Sequence, residues 1–546
     1  MSIVTGRSTV ATTHGIVAAS HPLAARAGVQ VLERGGHAVD AAIATNAVLG
    51  LVEPHMNGMG GDLFAIVYEA RTGRLHGLNA SGPAPAALTP DLLRGRGITD
   101  MPPSGIHSVT VPGAVAGWAA LRDRFGRLPL ANLLAPARYY AEQGFPVSPI
   151  VAGAWGGLLD KLTQPNAAHT YLPQGHPPGA GTIFRNPDLA RSFGLIAEHG
   201  PRAFYEGPIA DAIVSLMTKM DGTMTAADLE AFEPEWVELI STTYRGWTVY
   251  EIPPNTQGIA ALMMLDIMEQ FPLREYGLHS PDAMHVMIEA KKLAYADMLR
   301  WVGDPRFSKN RAAELLSKAR AATRAALIDP ARAATRVEPD RLEGLTTGHG
   351  GDTIYLSVVD REGNIVSLIQ SIFHGFGSGL VAPGTGFCLH SRGALFTLEA
   401  GHPNVLAPGK RPLHTIIPGF MHKGDVRIGF GIMGGFNQAQ AHAQFVSHIV
   451  DHDLDLQQAL EAGRFTKATF DGADVNIESL VPESTRQALI ARGHEVTTVP
   501  PRSYTFGYGQ AVMCNGTGVH FGASEPRHDG AAIPEAPAVF APPAVG

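Results

Sequence analysis

A threonine hydroxyl is a weak nucleophile until a base stands beside it, and one stretch of this chain can supply both from a single residue. The segment 350–371, GGDTIYLSVVDREGNIVSLIQS, has β-branched and apolar types over 353–359 and 365–371, with Asp360, Arg361, Glu362, Gly363 and Asn364 carrying turn chemistry between them. The pattern predicts a hairpin. With Arg361, Glu362 and Gly363 as a three-residue loop, Asp360 faces Asn364 and Thr353 faces Ser371, so both hydroxyls share one face of the sheet. A two-residue loop would slip that register by one. The preceding run, Thr346-Thr347-Gly348-His349-Gly350-Gly351-Asp352, is polar and rich in glycine. A cut between Asp352 and Thr353 would free an α-amine on the residue that carries the hydroxyl. An amine with a pKa of about 7.7–8.0 suits general base work near neutrality. Taken alone, a threonine that opens a strand is an ordinary strand residue.

A second constellation lies downstream. Residues 426–430 read as a strand and 438–450 as a helix, with Gly431-Ile432-Met433-Gly434-Gly435 between them. Backbone N–H groups at such a helix start point outward, and in an acyl-transfer site they would hold a tetrahedral oxyanion. The same loop matches G-x-G-x-x-G from Gly429 to Gly434, with Asp451, Asp453 and Asp455 following. A dinucleotide site would need a strand before those acids, and the segment instead runs helix into helix, so the β-α-β mechanism is missing. His448 and His452 stand four apart without the glutamate of a zinc protease, which favours two surface histidines over a metal site. No G-x-S-x-G elbow surrounds any serine, and nothing calls for a cofactor. The glycine loop His374-Gly375-Phe376-Gly377-Ser378-Gly379 is a pocket wall or a plain turn.

The elements around these residues alternate helix and strand. Ser20 and Pro22 open a helix that Gly35-Gly36 stops, and a second, alanine-rich helix runs from about Asp40 to Pro54. After Asn57-Gly58-Met59-Gly60-Gly61-Asp62 come alternating residues 63–68, a turn at Thr72-Gly73 and a return strand. Residues 185–235 read as helix broken near Tyr205, 244–250 as one strand, 258–300 as helix and 308–335 as an Ala/Arg-rich helix with a solvated face. The segment 336–352 lacks periodicity and reads as a linker; the Pro/Ala tail from Ile533 should be ordered only by docking or not at all.

The chain has 546 residues, 45% hydrophobic and 17% charged, enough for two lobes or one large domain. A net charge of −8 without a long basic run argues against nucleic acid as a partner. Two cysteines, Cys388 and Cys514, cannot build a disulfide framework. No apolar stretch is long enough to span a membrane and the first residues lack a signal-peptide core, so the cytoplasm is the expected location.

DTIYLSVVD-x-x-GN, FGSG, KRP, the Gly-Gly turn, GASEPR at 522–527 and the early run GGHAVDAAIATNAVLGLVEPHMNGMGGDLFAIVYEA together resemble the γ-glutamyltranspeptidase family, from about residue 12 to about 530. The resemblance implies an α+β Ntn-hydrolase fold, a four-layer αββα sandwich. It also implies a proenzyme that cuts itself into a large subunit, 1–352, and a small subunit, 353–546. The two would stay associated, with a dimer of heterodimers as one form, and act on a small-molecule amide, with glutathione metabolism as one setting. It places the nucleophile on Thr353, a supporting hydroxyl on Ser371 where the family has threonine, and the oxyanion glycines on Gly434 and Gly435.

The substrate pocket departs from the family. The arginine that binds an α-carboxylate becomes Ser81, the aspartate that binds an α-amine becomes Leu395, the two serines become His414 and Thr415, and an asparagine becomes Phe373. An ammonium facing Leu395 would be left unpaired at a real cost. Arg392 instead adds a cation, suited to bidentate carboxylate binding if it is not in a structural ion pair. With His414 it could hold a small acid such as oxamate or a dicarboxylate half-amide. The expected activity is therefore a threonine amidohydrolase or acyltransferase acting on a γ-glutamyl or related acidic amide. Oxamate-type amidohydrolase and cephalosporin-type acylase are alternatives, and a non-catalytic binding subunit is an alternative of another class.

Overall fold

The computed structural model describes residues 5–337, 352–537 and 539; of the linker expected over 336–352, residues 338–351 lie outside the described residues. Two seven-stranded antiparallel sheets form the centre. One runs in the order Val10–Thr12, His520–Ser524, Gly509–Cys514, Val426–Ile432, Gly419–Lys423, Trp247–Glu251, Ile240–Tyr244. The other runs Ala531–Pro534, Ile16–Ala19, Asp352–Val359, Ile365–Phe373, Asp62–Glu69, Arg74–Ala80, Glu235–Val237. Strands from before and after residue 352 therefore interleave in both sheets.

The period-two pattern of the expected hairpin decides how the layers stack. Ile354, Leu356 and Val358 sit in one apolar cluster with the helices Pro22–Glu33 and Ala38–Val52, while Tyr355 and Val359 point the other way, into a core shared with Phe420 and Val512 of the opposite sheet. Beyond that sheet, Ile428 and Phe430 pack with the helices Gly258–Met268, Pro281–Trp301 and Asn437–Val450. The result is the four-layer αββα sandwich that the resemblance implied. Each buried Val, Leu or Ile contributes roughly 1.5–3 kcal/mol, so the alternation is enforced along the whole strand.

The hairpin register follows the three-residue loop. Val359 pairs with Ile365 and Ile354 with Gln370. Gly363 takes φ +82°, the left-handed conformation that closes such a loop. The Asp360 carboxylate accepts the amides of Glu362 and Asn364, both at 3.0 Å, and holds the turn. At the open end the ladder slips: Asp352 pairs with Phe373, leaving Thr353 at an irregularity.

Several local expectations are corrected. The one strand expected over 244–250 is two, Ile240–Tyr244 and Trp247–Glu251, because Arg245 and Gly246 take φ +47° and +82° and make a tight hairpin turn. The helix expected over 308–335 shrinks to Ala312–Leu315 and Lys318–Ala325; Pro330 excludes helix at the residue before it. His21, not Ser20, caps the first helix, and His37 with Asp40 forms a capping box for the second, which starts at Ala38. His448 is buried rather than on the surface, its Nδ1 3.2 Å from the Ala459 carbonyl. The dinucleotide alternative fails on topology: Val426–Ile432 has antiparallel neighbours, and Asn437–Val450 is followed by another helix, Leu456–Glu461. Of the tail, Ile533 and Pro534 end the edge strand Ala531–Pro534 on Ile16–Ala19, while residues 538 and 540–546 lie outside the described residues. Among the described residues no helix is long and apolar enough to cross a membrane.

Candidate active site

Thr353 is buried at the open end of the hairpin, and its hydroxyl donates to Ser371 Oγ at 3.2 Å. Ser371 is a hub. It also accepts from the Phe373 amide and from Arg392 Nη2, both at 2.8 Å, and donates its own proton to the Asp352 carbonyl at 2.7 Å. That carbonyl belongs to the peptide bond joining Asp352 to Thr353. Phe373 adopts φ +76°, a conformation that costs a non-glycine residue about 1–3 kcal/mol. The turn aims the Phe373 N–H back at Ser371 and sets its ring 4.4 Å from the Arg392 guanidinium.

Arg392 opens the short 3₁₀ turn Arg392–Leu395 and has no exposed surface. Its second amine donates to Thr415 Oγ1 at 2.8 Å, its Nε is unbonded, and among the described residues no carboxylate lies within ion-pair distance. Among the described residues the structural salt bridge considered from the sequence is therefore absent. Burial pushes Arg392 down to about 9 against the opposing pull of Asp62, which still leaves it a cation at neutral pH.

Asp62 faces Ser371 on the next strand. Its carboxylate accepts the Gly82 amide at 3.0 Å and His414 Nε2 at 2.9 Å, with His390 Nδ1 at 3.2 Å. Burial opposes the charge, but the two histidines outweigh it and hold the carboxyl below its ordinary range. His414 itself is pushed down to about 3, by burial and then by Arg392, so it acts on Asp62 as a neutral hydrogen-bond donor. Its other ring nitrogen receives the Ile416 amide at 3.4 Å, which leaves neither nitrogen facing an open pocket. Ser81 sits one residue from the Gly82 contact, but its hydroxyl donates to Asn79 Oδ1 at 2.7 Å.

The glycine turn meets this cluster from the other sheet. Ile365 packs on Gly429, Ser367 donates to the Phe430 carbonyl at 3.3 Å, and the Tyr355 ring lies where a Cβ on Gly431 would come within 2.5 Å of it. Gly434 and Gly435 follow that strand, Val426–Ile432, at the turn into the helix Asn437–Val450. Gly434 and Gly435 take φ +127° and +56°. Among the described residues no protein acceptor meets either amide N–H. Gln257 ties the turn in place, its amide donating to both the Gly435 and Thr415 carbonyls. An unbroken series of contacts thus links Thr353, Ser371, Arg392, Thr415, Gln257 and Gly435. Asp62, His390 and Gln257 have no motif of their own; the glycines just before Asp62 are the one hint of a crowded site.

A metal fits poorly elsewhere. His285, Glu289 and His494 form a buried trio of suitable types, but Lys292 donates to Glu289 at 2.7 Å and puts an ammonium where a metal would need to be.

The profile of the family described as gamma-glutamyltranspeptidase matches residues 24–535. The chain belongs to the gamma-glutamyltranspeptidase family. It is accordingly an Ntn hydrolase, an enzyme that acts on amide bonds. It is 36% identical to the glutathione hydrolase-like YwrD proenzyme of Bacillus subtilis (strain 168), over 95% of this chain and 98% of that one. It is 34% identical to the oxamate amidohydrolase proenzyme of Klebsiella pneumoniae, over 95% and 98%. The structure of a cephalosporin acylase from Bacillus halodurans superposes with a TM-score of 0.90 at 42% identity, covering 97% of both chains. Relatives named for three different activities are thus similar to this chain along nearly its whole length.

Proposed function

We propose that the chain is a precursor cut between Asp352 and Thr353, and that the large part, 1–352, and the small part, 353–546, remain together as a threonine amidohydrolase. Thr353 Oγ attacks the amide carbonyl of a small substrate, and the freed Thr353 amine accepts the hydroxyl proton. Gly434 and Gly435 donate to the oxyanion, each donor of this kind contributing about 2.7–4 kcal/mol. Ser371 orients the nucleophile. The amine of the substrate leaves with the proton, and water hydrolyses the resulting Thr353 ester. The observation that carries this reading is the buried Thr353 hydroxyl on Ser371 at 3.2 Å, joined through Arg392, Thr415 and Gln257 to a glycine turn whose two amides meet no acceptor among the described residues.

An acidic acyl group is favoured over an α-amino one, because Leu395 offers an ammonium nothing while Arg392 is a buried cation with no carboxylate partner among the described residues. γ-Glutamyl, oxamate-type and cephalosporin-type substrates differ in how they would use that cation. Intact mass and denaturing electrophoresis test the first step: two chains meeting at Thr353 are expected, and a wild-type chain that stays whole while active overturns it. A panel of small amides, assayed for released ammonia or amine, separates the three substrate types. Absence of acyl transfer to Thr353 from all of them would favour a binding subunit.

A further inference from the structure

The hydrogen bonds around Ser371 are arranged for the intact chain rather than for a substrate. Its one proton goes to the Asp352 carbonyl oxygen at 2.7 Å, the atom on which negative charge would develop if Thr353 Oγ attacked its own peptide bond. Behind it, the Phe373 amide and Arg392 Nη2 both donate to Ser371 Oγ at 2.8 Å. A hydroxyl that accepts from a guanidinium is a stronger donor in turn, and this one is sealed from water, where such polarisation counts most. Arg392 is held on its far side by Thr415 Oγ1 at 2.8 Å and over the Phe373 ring, so its aim at Ser371 is fixed. Gly434 and Gly435, by contrast, keep their amides free of any described acceptor while the chain is whole.

We propose that Arg392 is a positioning residue for self-cleavage: acting through Ser371, it polarises the Asp352 carbonyl and forms an oxyanion site for maturation separate from the glycine turn. The proposal rests on the reading of Thr353 as the self-cleaving nucleophile. In the step concerned, the Thr353 Oγ–Asp352 C bond forms and the Asp352 C–Thr353 N bond breaks, and the hydroxyl proton ends on the departing nitrogen. Water then hydrolyses the ester, leaving an α-carboxylate on Asp352 and restoring the Thr353 hydroxyl. The charge that Ser371 and Arg392 stabilise exists only on the way.

The test is a time course of cleavage after cell-free synthesis of the full chain, read by intact mass, for wild type and for Arg392→Met, Arg392→Lys, Arg392→Ala and Ser371→Ala. Direct oxyanion donors are worth about 10²–10³ in rate, so an indirect one should cost roughly 10- to 100-fold in Arg392→Met, and less in Arg392→Lys. Millimolar guanidinium should speed Arg392→Ala and leave Ser371→Ala unchanged. Wild-type rates in Arg392→Met and Arg392→Ala overturn the role of Arg392 while leaving the nucleophile intact. So does a slow, folded Arg392→Ala that guanidinium fails to rescue together with an Arg392→Lys no faster than Arg392→Met, because charge is then not the cause. A wild-type chain that never cuts removes the underlying reading, and this inference with it.

Discussion

Two groups of deeply buried arginines are treated in opposite ways. Arg527 and Arg464 lie fully enclosed beneath the last strands, clasped by Glu478 and Glu525 at 2.5–3.1 Å and by backbone carbonyls. Arg392 is equally enclosed, but its partners are two hydroxyls and an aromatic ring. A cation matched by carboxylates has no charge left to offer and serves as scaffold. A cation given only neutral acceptors and rings has its counter-charge still to come, from an oxyanion or from a substrate.

Replacing Thr353 by alanine tests the premise of the contrast and has the largest effect: a chain of full mass with activity down by at least about 10⁴-fold, measured by intact mass and amide turnover. Breaking the scaffold pair comes next. Glu478→Gln leaves Arg527 short of a carboxylate in a closed site and should cost about 3–5 kcal/mol in denaturant unfolding, with the cleavage position unchanged in the protein that folds. Arg392→Met should do the reverse, slowing cleavage while shifting stability by less than about 1.5 kcal/mol; equal stability losses at the two arginines would erase the distinction.

A pH test sharpens the comparison. Burial pushes the Asp352 carboxyl up to about 7, with Lys161 opposing. An aspartate with a raised value binds its proton more tightly folded than unfolded, so its contribution is fully present below about pH 4 and is lost as pH rises through about 7. In the uncut Thr353→Ala chain the melting temperature should fall from pH 5 to pH 8, and adding Asp352→Asn should reduce that fall. The smallest effect is expected for Thr415→Val, which removes one of two anchors of Arg392 and should slow cleavage a few-fold.

Much of the hairpin was legible because its determinants are local. Strand alternation, the Asp360 to Asn364 turn and the glycine at positive φ all sit within one stretch, and they set the register that brings Thr353 to Ser371. The Gly434-Gly435 turn was legible for the same reason. Asp62 was not, because His414 reaches it across 352 residues and His390 from the far side of the same cluster. Nor could spacing show that Ser81 and His414 are bonded inward. The short Arg245-Gly246 turn and the loss of helix after Ala325 were missed where a single backbone conformation overrode an otherwise regular pattern.

The interleaving of the sheets sets how little a cut at Asp352 would change. Ile16–Ala19 lies between Ala531–Pro534 and Asp352–Val359, Asp62–Glu69 borders Ile365–Phe373, and in the other sheet Val10–Thr12 and Trp247–Glu251 are bound to later strands. Five seams would still stitch the two products together after the covalent link had gone. The regular ladder resumes at Ile354, so the newborn amino end would be loose at one residue only. Its nitrogen would find its own hydroxyl by turning about a few bonds, with the rest of the molecule standing still.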